Sequence, residues 1–233
     1  MSEENQQLSS FEDFLNANNF QIDDYFRSKT LPELTISELV YIYLNTLHGF
    51  ETLSNGKVYS SLYDLLDNTR SSFSRQKTRI YTPLLSCFAI IDQLGSIFDN
   101  PAKSTNYQNG ILSFLTQFSS LNDDEIKALN SLRNGLYHDG SLTSIGRFSN
   151  RPNVVFRLNP DMEEIIKVPQ VNWDGIYYDE LKSYLSFINT RNLFLYIEEI
   201  IESIKRLLLE GKLQLKITDP REFYYKYLFS NFV

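Results

Sequence analysis

The stretch NSLRNGLYHDGSL, residues 130–142, gathers the side chains best suited to proton and phosphate chemistry. His138 is one of two histidines in the 233 residues, and Arg133 and Asn134 stand five and four positions before it. Histidine is the side chain whose charge changes near neutral pH. A guanidinium holds phosphate in a bidentate fork, and an asparagine beside it can orient either group. Set around a phosphodiester, such a trio suits cleavage of RNA by attack of the 2′-hydroxyl on the adjacent phosphorus. His138 would move protons and Arg133 would offset charge building on the phosphate, with no metal or other cofactor required. DNA lacks that internal nucleophile, so RNA is the matching substrate. The plainer reading of the same residues is a helix end, closed by Asp139-Gly140 with the glycine left-handed.

The element that must carry these groups is a helix over NDDEIKALNSLRNGLYH. Asn122 can cap it, Glu125 stands at the capping-box position, and two further acids occupy the first turn. On a helical wheel Ala128, Leu129, Leu132 and Leu136 gather on the core side. Asn130, Arg133, Asn134, Tyr137 and His138 cover the other half. Asn134 and His138 are neighbours on one face, whereas Arg133 lies about 140° round from His138. The wheel therefore points the trio away from its own core, towards solvent, a cleft or another chain. Arg147, Arg151 and Arg157 follow closely and are candidates for a local RNA-binding rim; their plainer reading is a solvated loop and strand face.

The surrounding pattern reads as an all-α protein in the main, a bundle of four to five main helices. FEDFLNANNFQIDDYF looks weakly helical. LPELTISELVYIYLNTLHGF begins a helix with Thr35 and Glu38 as a capping box and His48 near its end, at or near the surface. VYSSLYDLLDNTRSSF reads as a second helix from Val58 to Phe73. TPLLSCFAIIDQLGSIFDN is a third, capped by Thr82 with Pro83 in the first turn, and so apolar that it must be central. Asp92 interrupts it and needs a partner. That partner is a backbone group or a nearby tyrosine, or else Asp92 is an acid at the mouth of a site. NYQNGILSFLTQFSSL is a short fourth helix. NVVFRLNPDMEEIIKV reads as an inserted β hairpin, about 153–168, turning at Asn159-Pro160-Asp161. It precedes a long amphipathic helix from Tyr177 to Gly211 with Leu181, Leu185, Ile188, Tyr196, Ile200, Ile204 and Leu208 along its buried stripe. LQLKI is a candidate strand joining the hairpin, and the aromatic tail FYYKYLFSNFV is expected to dock on the body.

Composition narrows the classes. A net charge of −7 argues against a broad electrostatic grip on nucleic acid, leaving only a local one. Cys87 is the single cysteine and two histidines are too few for a multi-histidine metal site. The polar N-terminus has no apolar signal-peptide core and no apolar run reaches membrane-spanning length, so a cytoplasmic setting is expected.

The run LRNGLYH resembles the R-N-x3-H signature of the HEPN superfamily, and YTPLLSCFAIIDQLGSIF resembles the helix preceding the motif helix in prokaryotic members. The hairpin and long final helix resemble that group too. The resemblance covers roughly residues 58–210, leaving residues 1–57 as an N-terminal helical extension and 211–233 as a strand and aromatic tail. It implies a helical bundle that pairs through the motif helix into a homodimer with a composite site. Arg133 and His138 would be catalytic there, with Asn134, Tyr137 and Asp92 supporting. It further implies a metal-independent endoribonuclease, an antitoxin or defence-system partner, and a toxin–antitoxin or phage-defence setting. The alternative is a non-catalytic HEPN-like module that dimerises or binds a nucleotide or partner protein. In that case Arg133 pairs with an acid and His138 merely helps finish the helix.

Overall fold

The computed structural model describes residues 8–103, 105–108, 110–146 and 151–232. The chain is mixed α/β, not mainly α-helical: its described residues hold eight α-helices and nine short strands. In order these are α1 (Asn19–Arg27), α2 (Ile36–Tyr43), β1 (Phe50–Leu53), β2 (Gly56–Ser60), α3 (Ser61–Ser74) and α4 (Tyr81–Ile97). Next come β3 (Phe98–Asp99), α5 (Gly110–Phe118), α6 (Asp123–Asp139), β4 (Thr143–Ser144), β5 (Val154–Leu158) and β6 (Ile166–Lys167). The rest are β7 (Leu185–Ile188), α7 (Thr190–Leu209), β8 (Gln214–Leu215), α8 (Pro220–Tyr227) and β9 (Leu228–Phe232). The chain divides into two compact units, residues 69–200, and residues 1–68 together with 201–233. Among the described residues no helix is long and apolar enough to cross a membrane.

In the unit of residues 69–200, α4 is central as expected, burying Leu84, Cys87, Phe88, Ile90, Ile91 and Leu94 completely. Burial drives the Cys87 thiol well above its ordinary pKa, so it stays protonated. Thr82 is inside the helix rather than its cap, because Ile80 already has helical backbone angles and helix geometry begins before it. Beside the helices lies a four-stranded sheet of order β4-β5-β7-β6. The expected hairpin of residues 153–168 does not form as such: β7 is inserted between β5 and β6. It runs parallel to β5, pairing Val155 with Leu185 and Leu158 with Ile188, and antiparallel to β6. The candidate strand LQLKI supplies only β8, which is not among the strands of this sheet.

The long final helix is correspondingly shorter than its apolar stripe, starting at Thr190. Asn189 stops it from extending backwards. Its side-chain oxygen accepts from the backbone N–H groups of Arg191 and Asn192, while its amide donates to the carbonyls of Pro160 and Met162. One residue thus caps α7 and pins the β5–β6 connection, and Leu185–Ile188 is left free to pair as a strand.

In the other unit, Thr35 caps α2 with Glu38 in the capping box. That helix ends at Tyr43, so Leu47 and His48 lie in the exposed turn after it. Val58 belongs to a strand, not a helix: β1 and β2 form a hairpin across Ser54-Asn55, and β9 adds to β2. The aromatic tail docks unevenly. Phe223 is fully buried between Tyr43 and Tyr227, while Tyr225 is 83% exposed.

Candidate functional site

Helix α6 forms as its caps dictate. Asn122 accepts from the Glu125 N–H, the Glu125 carboxylate accepts from the Asn122 N–H, and Gly140 ends the helix at φ +62°. A left-handed residue there costs least when it has no Cβ. Ile126, Ala128, Leu129, Leu132 and Leu136 are buried, which fixes the helix rotationally on the core. Each such leucine stabilises by roughly 1.5–3 kcal/mol.

Arg133 is held from several directions. Its Nε and Nη2 both donate to Oδ2 of Asp92 on α4, at 2.9 and 2.7 Å. Nη1 donates to Oδ1 of Asn134 at 3.2 Å, and the guanidinium lies 4.8 Å from the Tyr137 ring centroid. Tyr137 is itself anchored, its hydroxyl donating to the Leu85 carbonyl at 2.9 Å. Burial and the Asp92 charge push the Tyr137 phenol up to about 12, so it stays neutral and braces the arginine instead of exchanging protons near pH 7. Asp92 therefore finds its partner in Arg133, an ion pair neither local reading of its own helix could name. A guanidinium has five N–H groups. Three are used here, and the side chain is 27% exposed, so the remaining edge can reach a ligand.

His138 stands outside that network. It is exposed in the last turn of α6, and among the described residues no hydrogen bond or ion pair engages its imidazole. The Tyr81 hydroxyl donates to the Gly140 carbonyl at 3.0 Å, which places a second partly exposed phenol at the same helix end.

The helical wheel needs one correction. Asn134 does not face outward: it is 8% exposed, and its neighbours Asn130 and Ser131 are more deeply buried still. The chain folds back after Gly140, and β4 lies against α6 so closely that a Cβ on Gly135 would meet the Thr143 carbonyl oxygen at 2.6 Å. Part of the helix's polar half is covered by its own chain. Asn130 Oδ1, Ser131 Oγ and Asn134 Nδ2 have no hydrogen-bond partner among the described residues. Arg133, Tyr137 and His138 keep the access that Asn134 lacks.

No family model matches the chain, and no curated protein and no solved structure matches it significantly.

Of the three later arginines, two fall among the described residues. Arg147 lies outside the described residues. Arg157 is exposed on β5 and donates to its neighbour's carbonyl, that of Phe156. Arg151 lines a cleft with Lys127 of α6. Lys127 was not singled out from the sequence, although it stands eleven residues before His138 and about 20° from it on the wheel. That shared face was the available signal. Among the described residues, no group of three or more His, Cys, Asp or Glu side chains could hold a metal ion.

Proposed function

We propose that residues 69–200 carry a metal-independent endoribonuclease site built on Arg133 and His138. The observation that carries the reading is an arginine fixed by a carboxylate from another helix, with part of its donor edge unspent, five residues before an accessible imidazole. His138 takes the proton from a ribose 2′-hydroxyl as its oxygen bonds to phosphorus. The bond from phosphorus to the 5′-oxygen breaks, leaving a 2′,3′-cyclic phosphate, and the departing 5′-oxygen takes a proton from water. Arg133 offsets the charge on the phosphate oxygens, with Asp92 and Tyr137 as positioning residues. Because Arg133 and His138 lie about 140° apart on one helix, a single phosphate is best reached by Arg133 of one chain and His138 of another. The reading therefore includes a homodimer paired through α6. The HEPN resemblance adds a toxin–antitoxin or defence setting with an antitoxin or other partner protein, in the cytoplasmic setting expected from the sequence.

The Arg133–Asp92 ion pair also favours a second reading, a non-catalytic module in which that pair is purely structural. Purified protein incubated with mixed RNA in EDTA separates the two. Cleavage that disappears in both His138→Ala and Arg133→Ala supports the nuclease. Cleavage surviving both substitutions overturns the residue assignment, and a folded wild type that never cleaves supports the module. Sedimentation at micromolar concentration tests the shared site, which a monomer would contradict.

A further inference from the structure

We propose that the cleft between the first turns of α6 and the β5–β7 side of the sheet is a nucleotide-binding site, distinct from the Arg133–His138 helix end. Its volume is about 510 Å³, within the ordinary range for small-ligand sites. In a chain of net charge −7 its lining carries two cations, Lys127 and Arg151, against one carboxylate, Asp124. Asp123 holds the Lys127 ammonium at 2.5 Å, yet an ammonium has three donors, so it can still bind an anion. Gln170 and Asn172 also line the cleft. Both are exposed, and among the described residues no hydrogen bond engages their side chains. Each amide offers a donor and an acceptor together, the pattern displayed by a base edge.

The wall around these groups is rigid for a visible reason. Asn153 accepts from the Gly146 N–H at 2.8 Å and donates to the Trp173 carbonyl at 3.1 Å, tying the segment before β5 to the segment bearing Asn172. Val154 and Val168 give apolar surface between the charged and amide groups. The chemistry matches one ligand class: phosphate on Lys127 and Arg151, a base read by its edge at Gln170 and Asn172. Lys127 is eleven residues from His138, about 16 Å along α6, so this is not the cleavage site. The ligand is either a nucleotide within an RNA strand or a free mononucleotide. Only the first source rests on the ribonuclease reading.

The test is calorimetric titration of the full chain, wild type and His138→Ala, with 5′-AMP, 5′-UMP, a short single-stranded oligoribonucleotide and inorganic phosphate. We expect saturable nucleotide binding in both proteins, so that a failed cleavage assay leaves this result standing. Lys127→Ala, and Lys127→Ala with Arg151→Ala, should weaken binding about tenfold or more. Gln170→Ala with Asn172→Ala should change the AMP-to-UMP ratio while leaving inorganic phosphate unaffected. Tighter binding of the oligoribonucleotide identifies an RNA strand as the source, and tighter binding of a mononucleotide identifies a free ligand. No saturable nucleotide binding, inorganic phosphate binding as tightly as nucleotides, or a base ratio indifferent to the amides would each overturn the proposal.

Discussion

Glu38 on α2 and the Asn130–Asn134 stretch of α6 are both polar and both buried, and they are treated in opposite ways. Each Glu38 oxygen is met twice. Oε1 accepts from the Tyr25 hydroxyl and the Lys29 ammonium at 2.5 and 2.6 Å, and Oε2 accepts from the Thr35 N–H and hydroxyl at 2.6 and 2.8 Å. On α6, Asn130, Ser131 and Asn134 each leave a buried polar atom unpaired among the described residues. A buried polar group with all its bonds made specifies a fold, whereas one left short costs stability and is kept for another reason. The difference separates a structural cluster from a candidate working one.

The largest expected effect tests the structural side. Glu38→Ala strips four donors of their acceptor and leaves Lys29 without its partner. It should cost roughly 3–5 kcal/mol, read as a fall in the urea midpoint. Burial alone would raise the Glu38 carboxyl pKa, but the bonds from Lys29, Tyr25 and Thr35 outweigh it and hold it below the ordinary value. The unfolded chain then takes up protons first as pH falls. The cluster's contribution is complete above the ordinary carboxyl range and is lost on acidification. A midpoint for Glu38→Ala within experimental error of wild type at pH 7 would remove the contrast with α6.

Glu51 on β1 sharpens the comparison, because it too is buried and is far less satisfied. Its one side-chain hydrogen bond among the described residues comes from Asn45, at 2.8 Å. Burial, and then the charge of Asp23, raise its pKa from 4.5 to about 7, only partly offset by Asn45, Lys205 and Arg27. Here the sign reverses. Between pH 4.5 and 7 the folded state keeps a proton the unfolded state has released, so stability falls as pH rises through that window. The deficit above pH 7 is on the order of 3 kcal/mol. Glu51→Gln keeps the acceptor for Asn45 and removes the charge. It should be more stable than wild type at pH 8 and equal to it near pH 4, and equal unfolding curves at both pH values would show that Glu51 is not carrying a buried charge.

These clusters also mark what the sequence could reveal. The caps of α2 and α6, the leucine face of α6 and the closing Gly140 are local, set by residues three or four apart, and all were legible. So was Asp92's need for a partner, but the partner lies 41 residues away on another helix. The errors in the fold have different causes. Leu185 and Ile188 suit a helical stripe as well as they suit a strand, and what holds them as β7 is pairing with β5, some 30 residues earlier. Asn189 was a readable cap that would have broken the long helix. Asn55-Gly56, a hairpin signal, would have exposed β1 and β2. The close approach of β4 to α6 had no local sign, since it follows from Gly135 admitting a carbonyl where any side chain would refuse it.

Gly135→Ala therefore attacks the cover on α6 directly. The new Cβ would stand 2.6 Å from the Thr143 oxygen and 3.0 Å from the Ser141 oxygen, both backbone atoms with little room to yield. Overpacking of this kind costs roughly 1–3 kcal/mol, against at most about 1 kcal/mol regained from alanine's helix propensity. The specific sign is faster amide exchange at residues 141–144, as β4 lifts off α6. Unchanged exchange there would mean that the strand absorbs the new methyl without leaving the helix.

The smallest stability effect is the most discriminating. Asn134→Leu keeps the side chain's size, removes the unpaired Nδ2, and gives up only the 3.2 Å bond to an arginine that water can still reach. Replacing an unsatisfied buried polar group with an apolar one of like shape is close to neutral, so stability should stay within about 1 kcal/mol of wild type. On the ribonuclease proposal, cleavage of RNA should nevertheless fall at least about tenfold, because Arg133 loses one of the groups that aim it. A loss of stability as large as that of Glu38→Ala would place Asn134 among the groups that hold the fold. The two buried polar clusters would then differ in degree and not in kind.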